Sequence, residues 1–124
     1  MIKSVPDTEL QEIKRITDNI SVIIDSERKN ENESLSKERQ SFVDTCREID
    51  IPCYVLELRA IENYFTDRAI KKIKGKKYRS LNPYEKLNDC ELPWAKHENW
   101  EMARELTTEE LQTTDLGTFL NTLG

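Results

Sequence analysis

Residues 20–27 read ISVIIDSE, a β-branched apolar run that stops abruptly at two carboxylates. A short run of this kind predicts a strand buried in a parallel sheet rather than a half-exposed strand. The apolar residues within 35–49 share one stripe, which is typical of an amphipathic helix. Residues 53–56 read CYVL and predict a second strand. The order strand, helix, strand is that of a βαβ unit, so we expect an α/β fold built on a parallel sheet.

The rest of the chain is expected to be helical. A first helix is predicted over residues 7–18, and helical spacing returns beyond Thr66, where Thr66 or Asp67 suits the cap of a short helix that ends at Gly75. Further helices are predicted over residues 94–106 and after Thr107, which can form a capping box with Glu110. Residues 1–65 are therefore assigned to an α/β core and residues 66–124 to a helical extension of the same domain. Two strands make a poor sheet on their own, so a further strand is expected from the upstream chain or from a partner.

Composition narrows the classes of protein that remain. The chain has 124 residues, of which 36% are hydrophobic and 35% charged, so one domain with a lean core is expected. The net charge of −5 argues against a uniformly basic nucleic-acid-binding surface. No apolar run approaches the length of a membrane-spanning helix and no secretion leader opens the chain, which indicates a cytoplasmic protein without a membrane partner. The odd number of cysteines, none in CxxC spacing, indicates neither a disulfide framework nor a zinc knuckle.

Asp25 and Glu27 form the most informative polar group. Asp25 directly follows the first predicted strand, and ligands of open α/β sheets bind outside the carboxyl ends of the strands. With one residue between them, the two carboxylates can face the same way in an extended segment. Such oxygens suit Mg²⁺ or Mn²⁺. The alternative is a solvated acidic turn.

Glu62 adds a third carboxylate a few residues beyond the second predicted strand. If the two strands are neighbours, their carboxyl ends open on one edge, where Glu62 would meet Asp25 and Glu27. Three converging carboxylates repel one another and bind a cation readily. The alternative is that Glu62 pairs with Arg59 or Arg68 and caps a helix.

A basic stripe follows Glu62. It consists of Arg68, Lys71, Lys72, Lys74, Lys76, Lys77 and Arg79. Such a stripe suits binding to a phosphate backbone without reading sequence. The alternative is a solvated helical face. Residues 85–110, here called the acid-rich segment, carry eight acidic residues against three basic ones.

Several of these sequence segments resemble those of one protein family. ISVIIDSE and the word IENY at residues 61–64 are similar to the TOPRIM domain of nucleases of the overcoming-lysogenization-defect (OLD) type. More loosely, WAK at 94–96, NW at 99–100 and DLGTFL at 115–120 look like the closing segment of ATPase-linked TOPRIM proteins, many of them antiphage proteins. The resemblance implies a TOPRIM-like βαβ core with a small parallel sheet. It also implies Mg²⁺- or Mn²⁺-dependent endonuclease cleavage of DNA.

The resemblance also implies roles for single residues. Asp25, Glu27 and Glu62 would be catalytic metal ligands, and Lys96 would approach the scissile phosphate. TOPRIM domains carry an earlier strand that ends in a Glu, which this sequence lacks. We therefore expect a C-terminal fragment of a longer protein, completed by an upstream Glu-bearing strand.

The remaining alternatives concern the wider assembly. No GxxxxGK[ST] phosphate loop occurs, so any ATPase lies in an upstream region or a partner subunit. A homo-oligomer is left open. The rival reading is a catalytically inactive TOPRIM-like module with an interaction or regulatory role. A plain metal-binding α/β domain is a third reading, against which the basic stripe counts.

Overall fold

Two short parallel strands form the sheet of this protein. The computed structural model describes residues 7–17 and 19–123. Strand β1 (Val22–Ile24) pairs in parallel with β2 (Cys53–Val55), with Ile23 opposite Tyr54. The predicted parallel pairing is confirmed, and within the described ranges the sheet holds these two strands only. The pairing continues past the strands, because the backbone N–H of Glu27 donates to the carbonyl oxygen of Arg59 at 2.8 Å.

Helix α2 (Lys37–Glu48) connects the two strands. The Ser36 side chain caps it by accepting a hydrogen bond from the backbone N–H of Arg39 at 3.2 Å. Its Cys46 is fully buried and packs in a cluster with Ile51 and with Leu10 of helix α1 (Asp7–Ile16). The strand–helix–strand order of the sequence prediction is therefore present. Residue 18, the predicted end of the first helix, lies outside the described residues.

Helix α3 (Asp67–Lys74) begins and ends where its capping residues predict. The Thr66 side chain accepts from the backbone N–H of Ala69, and Gly75 stops the helix with a φ of +116° that disfavours other residues. A buried cluster packs against this helix. It contains Phe65, Ile70, Leu81, Leu87, Cys90, Trp94 and Met102.

Three more helices follow within the described residues: α4 (Asn99–Glu105), α5 (Thr108–Gln112) and α6 (Asp115–Thr122). The capping box of Thr107 with Glu110 is confirmed at the start of α5. The expected helix over 94–106 starts later, at Asn99, after a 3₁₀ turn at Lys96–Glu98. Trp94 is buried in the preceding loop, whereas Trp100 is 58% exposed beside Arg104.

Helix α6 lies against the sheet. Its Phe119 stacks on Tyr54 of β2 with ring centroids 4.6 Å apart. Asp115, the first residue of α6, accepts hydrogen bonds from the hydroxyls of Tyr54 and Tyr64. The C-terminal helix is thereby tied to both the sheet and the segment that follows β2. In the part of the chain described here, no helix has the length and apolar character to cross a bilayer.

Candidate functional site

The loops that leave the two strands run side by side. Besides the backbone bond from Glu27 to Arg59, the buried Ser26 hydroxyl donates to the carbonyl oxygen of Leu58 at 2.8 Å. These bonds hold the loop after β1 against the loop after β2. Parallel pairing thus brings Asp25 and Glu62 to one edge of the sheet, as the sequence predicts.

A cavity of about 180 Å³ opens at this edge. All four residues expected to be catalytic line it, namely Asp25, Glu27, Glu62 and Lys96. Arg59, Ala60, Lys86, Leu87 and Asn88 complete its wall. The cavity therefore combines acidic side chains from the strand ends with basic side chains from later in the chain.

Asp25 is a half-buried carboxylate that its surroundings destabilise. Burial raises its pKa above the ordinary value, and the negative charge of Glu62 raises it further. The backbone N–H of Ile61 opposes this by donating to Oδ1 at 3.1 Å, and Lys96 and Arg39 oppose it by their charge. A half-buried carboxylate that lies near a second negative charge is in an environment that a bound cation relieves.

Glu62 is 4% exposed and is held from two sides. Its Oε1 accepts from the side-chain amide of Asn99 at 3.2 Å, and its Oε2 lies 3.5 Å from Nζ of Lys96. The sequence alternative, in which Glu62 pairs with Arg59 or Arg68, is not what the structure contains. Arg59 donates instead to the carbonyl oxygens of Glu27 and Arg28, and Arg68 bonds to Glu110.

The carboxylate of Glu27 is engaged in an ion pair. Its Oε1 lies 2.7 Å from Nη2 of Arg39, which is 3% exposed, and Glu27 itself has a φ of +53°. Burial would raise the pKa of Glu27, but neighbouring positive charges, Arg39 and Arg59 among them, bring it below its ordinary value. Over residues 7–17 and 19–123, no three His, Cys, Asp or Glu side chains are grouped to hold a metal ion. The expected three-carboxylate ligand set is not assembled.

A smaller ligand set fits the chemistry of the cavity. Mg²⁺ is commonly bound through one or two carboxylates and completes its shell with waters and phosphate oxygens. Asp25 and Glu62, which share the cavity and repel each other, are the two carboxylates suited to that role. Lys96 offers a positive charge to an anionic ligand, and a ligand can reach it because the side chain is 64% exposed.

Most of the predicted basic stripe is neutralised within the chain. Five of its seven members form ion pairs, which are Arg68 with Glu110, Lys71 with Asp67, Lys72 with Glu105, Lys74 with Glu98 and Arg79 with Glu85. All these acids but Asp67 belong to the acid-rich segment. Lys76 and Lys77 are exposed and have no ion-pair partner in the described part of the chain. The stripe therefore holds the C-terminal segment in place through most of its charges.

Sequence reasoning missed the residues that surround the carboxylates. In the sequence Arg39 is one of several polar residues off the apolar stripe of α2, and Asn99 appears only in a segment that resembles the family. Lys86 and Asn88 line the cavity although they lie within the acid-rich segment. The order of residues carries no signal for any of these, because Arg39 and Asn99 contact carboxylates that lie far from them in the chain, and Lys86 and Asn88 line a cavity that distant segments form.

Comparison with known proteins does not indicate a function for this chain. No protein-family model, curated protein or solved structure matches the chain. The cavity at the carboxyl ends of β1 and β2 is consequently the feature from which a function can be argued.

Proposed function

We propose that this chain is all or part of the C-terminal TOPRIM nuclease domain of a cytoplasmic, ATPase-linked antiphage protein. In this role it contributes to metal-dependent cleavage of DNA phosphodiesters. One observation carries the proposal: Asp25, Glu62 and Lys96 share a single cavity at the carboxyl edge of two parallel strands. The resemblance of residues 20–27 and 61–64 to OLD-type nucleases supplies the reaction class.

Asp25 and Glu62 would hold Mg²⁺ or Mn²⁺. When bound, the metal supplies an activated water and offsets charge on the phosphate. The chain's own residues prepare the site: the N–H of Ile61 orients Asp25, and the amide of Asn99 orients Glu62. Lys96 lies near enough to Glu62 to neutralise charge on a phosphate bound beside it. A further carboxylate, from an upstream segment or from Glu27 after release by Arg39, would complete the ligand set that the resemblance implies.

Binding of Mn²⁺ is tested by calorimetry on the wild type and on Asp25→Asn and Glu62→Gln. We expect saturable binding to the wild type and at least roughly tenfold weaker binding to either variant, since each removes one of two ligands. Glu31→Gln is the matched control, because Glu31 is an exposed carboxylate of the loop after β1. It should bind like the wild type. A folded wild type that binds no Mn²⁺, or binding that survives Asp25→Asn, would refute the metal site.

The same variant has a second readout. Because burial and Glu62 raise the pKa of Asp25, its ionised form weakens the fold at neutral pH, and this cost disappears as pH falls through the folded-state pKa. Without metal, Asp25→Asn should therefore be more stable than the wild type in urea at neutral pH. The asparagine retains an oxygen to accept from Ile61. A less stable variant would show that Asp25 has a structural rather than an electrostatic role.

Cleavage is tested with Mn²⁺ and supercoiled plasmid, on this chain and on the full-length gene product that contains it. We expect nicking that is lost in Asp25→Asn and strongly reduced in Lys96→Met, while Lys96→Met still binds Mn²⁺. Unchanged nicking in Asp25→Asn would indicate a contaminating nuclease and contradict the proposal.

A second candidate is a catalytically inactive TOPRIM-like module with an interaction or regulatory role. The ion pair of Glu27 with the buried Arg39 favours it, because this pair already engages the carboxylate of one expected ligand. Binding of Mn²⁺ by the full-length product without cleavage of plasmid would select this candidate over the nuclease.

A further inference from the structure

We infer that Lys86 and Asn88 bind a phosphate group of a DNA strand in the cavity that holds Asp25 and Glu62. Neither residue belongs to the predicted basic stripe, and both line this cavity. The identification of the ligand as DNA rests on the proposed function. The phosphate-binding chemistry does not, because lysine ammonium and asparagine amide groups donate to phosphate oxygens with or without a metal.

The turn that carries Lys86 is fixed to the turn that carries Glu62. The side-chain amide of Asn63, the neighbour of Glu62, donates to the carbonyl oxygens of Asn82 at 2.7 Å and Glu85 at 2.9 Å. The backbone N–H of Arg59 donates to the carbonyl oxygen of Pro83 at 3.0 Å. These bonds tie residues 82–85 to the segment that follows β2, so Lys86 is held at a defined place relative to the carboxylates.

Leu87 anchors the same turn from inside. It is 3% exposed and packs in the cluster that contains Phe65 and Trp94. Its neighbours Lys86 and Asn88 are both exposed and line the cavity. A buried anchor between two exposed polar residues holds those residues at the cavity mouth, which reduces the entropy lost when they bind a ligand.

Lys86 keeps its charge available. Its neighbour Glu85 is taken by Arg79, whose guanidinium makes hydrogen bonds to both carboxylate oxygens at 2.7 and 2.9 Å. This pairing lowers the pKa of Glu85 to about 2. Lys86 has no ion-pair partner among residues 7–17 and 19–123, in contrast to most of the basic stripe. An exposed, unneutralised lysine beside two carboxylates is placed to offset their repulsion of a phosphate.

The cavity suits a backbone phosphate rather than a whole base pair. Its volume is about 180 Å³, and its cations Lys86 and Lys96 are exposed at the surface. A strand can therefore pass along the surface and place one phosphate inside. Because these contacts reach the backbone and not the bases, binding should be insensitive to sequence and should weaken with salt.

The test is fluorescence anisotropy with a labelled short oligodeoxythymidine at low salt, in EDTA and in Ca²⁺. We expect Lys86→Gln to weaken binding by about tenfold and to reduce the salt slope by about one. Asn88→Ala should weaken binding by about threefold, since it removes an uncharged donor. Lys37→Gln is the matched control because it removes the same charge from an exposed lysine at the start of α2, which lies outside both the cavity lining and the basic stripe and has no ion pair among the described residues. Its affinity should change by less than about twofold.

Three results would overturn the inference. These are equal losses in Lys86→Gln and Lys37→Gln, no binding of the oligonucleotide by the wild type in either buffer, and displacement by thymidine monophosphate at concentrations equal to the oligonucleotide. The last result would identify a free nucleotide as the ligand.

Calorimetry with Mn²⁺ on the same proteins separates this inference from the proposed function. If Lys86→Gln weakens oligonucleotide binding while the wild type binds no Mn²⁺, the phosphate site is supported and the metal-dependent function is refuted. If Mn²⁺ binds and Lys86→Gln leaves the oligonucleotide affinity unchanged, the metal site stands and the phosphate site falls.

Discussion

Replacement of Asp115 by alanine should destabilise the fold more than its position near the end of the chain suggests. One carboxylate oxygen accepts from the hydroxyl of Tyr54 at 2.9 Å and from the backbone N–H of Glu57 at 3.0 Å. The other accepts from the hydroxyl of Tyr64 at 2.6 Å, and that hydroxyl in turn accepts from the N–H of Leu58. The side chain thus joins α6, β2 and the turn that carries Glu62.

The size of the effect follows from these bonds. Hydrogen bonds to a charged group contribute roughly 1.5–3 kcal/mol each, and the exposed N–H of Glu57 can bond to water after the change. We therefore expect Asp115→Ala to lower the free energy of unfolding by roughly 3–5 kcal/mol, a large part of the roughly 5–15 kcal/mol of a typical domain. With an unfolding entropy of about 2.1 cal/mol/K per residue, this lowers Tm by roughly 10–20 °C.

Urea unfolding followed by far-ultraviolet circular dichroism measures this loss. Glu109→Ala is the control, because Glu109 is an exposed acid in the first turn of α5 without a bonded partner in the described chain. It should change stability by less than about 0.5 kcal/mol. Tyr64→Phe alone should lower the free energy of unfolding by less than Asp115→Ala does. The double variant should lower it by less than the sum of the two single losses, because both changes remove the same hydrogen bond. A loss below about 1 kcal/mol in Asp115→Ala would refute the view that this carboxylate joins three elements.

Two further predictions concern the same region. Gly117→Ala should lower the free energy of unfolding in urea by about 2 kcal/mol despite the helix preference of alanine, because the new Cβ would lie 2.0 Å from the carbonyl oxygen of Leu111. Asn121→Ala on the exposed face of α6 should be neutral, and a Gly117→Ala protein as stable as the wild type would contradict the packing. Burial, followed by the hydrogen bond to Asp115, raises the pKa of Tyr54 from 10.0 to about 12, so the fold should lose stability as pH rises through this interval. Tyr54→Phe should show a shallower loss between these pH values in urea titrations, and identical slopes would argue against it.

The local structure was largely predictable because it depends on neighbouring residues. The β-branched run before Asp25 and the apolar stripe of α2 predict a parallel strand pair, and that pair is present. Thr66, Gly75 and Thr107 stop or start helices through their own side chains or backbone freedom, and they do so as predicted. The TOPRIM assignment itself stays a prediction, because a two-stranded parallel sheet with helices shows a mixed α/β fold and not the TOPRIM core in particular.

The pairing of charges was not predictable, since it is decided between segments far apart in the chain. Glu27 looked like a free metal ligand beside Asp25, but the buried Arg39 of α2 holds its carboxylate. The basic stripe looked like a phosphate-binding face, yet the acid-rich segment returns to neutralise most of it. Long charged side chains have no preferred partner in sequence, so the packing of the helices selects one.

The sequence by itself determined which segments become strands and helices, and that two carboxylates follow the ends of neighbouring strands. Periodicity, capping residues and turn residues act over a few positions, so their effects can be read from the order of residues. Only the tertiary structure decided which charges remain available at the cavity, because burial and distance set that outcome. Among the described residues, it left Lys86 without an ion pair at the cavity that Asp25 and Glu62 line, while it engaged Glu27 and most of the basic stripe in ion pairs.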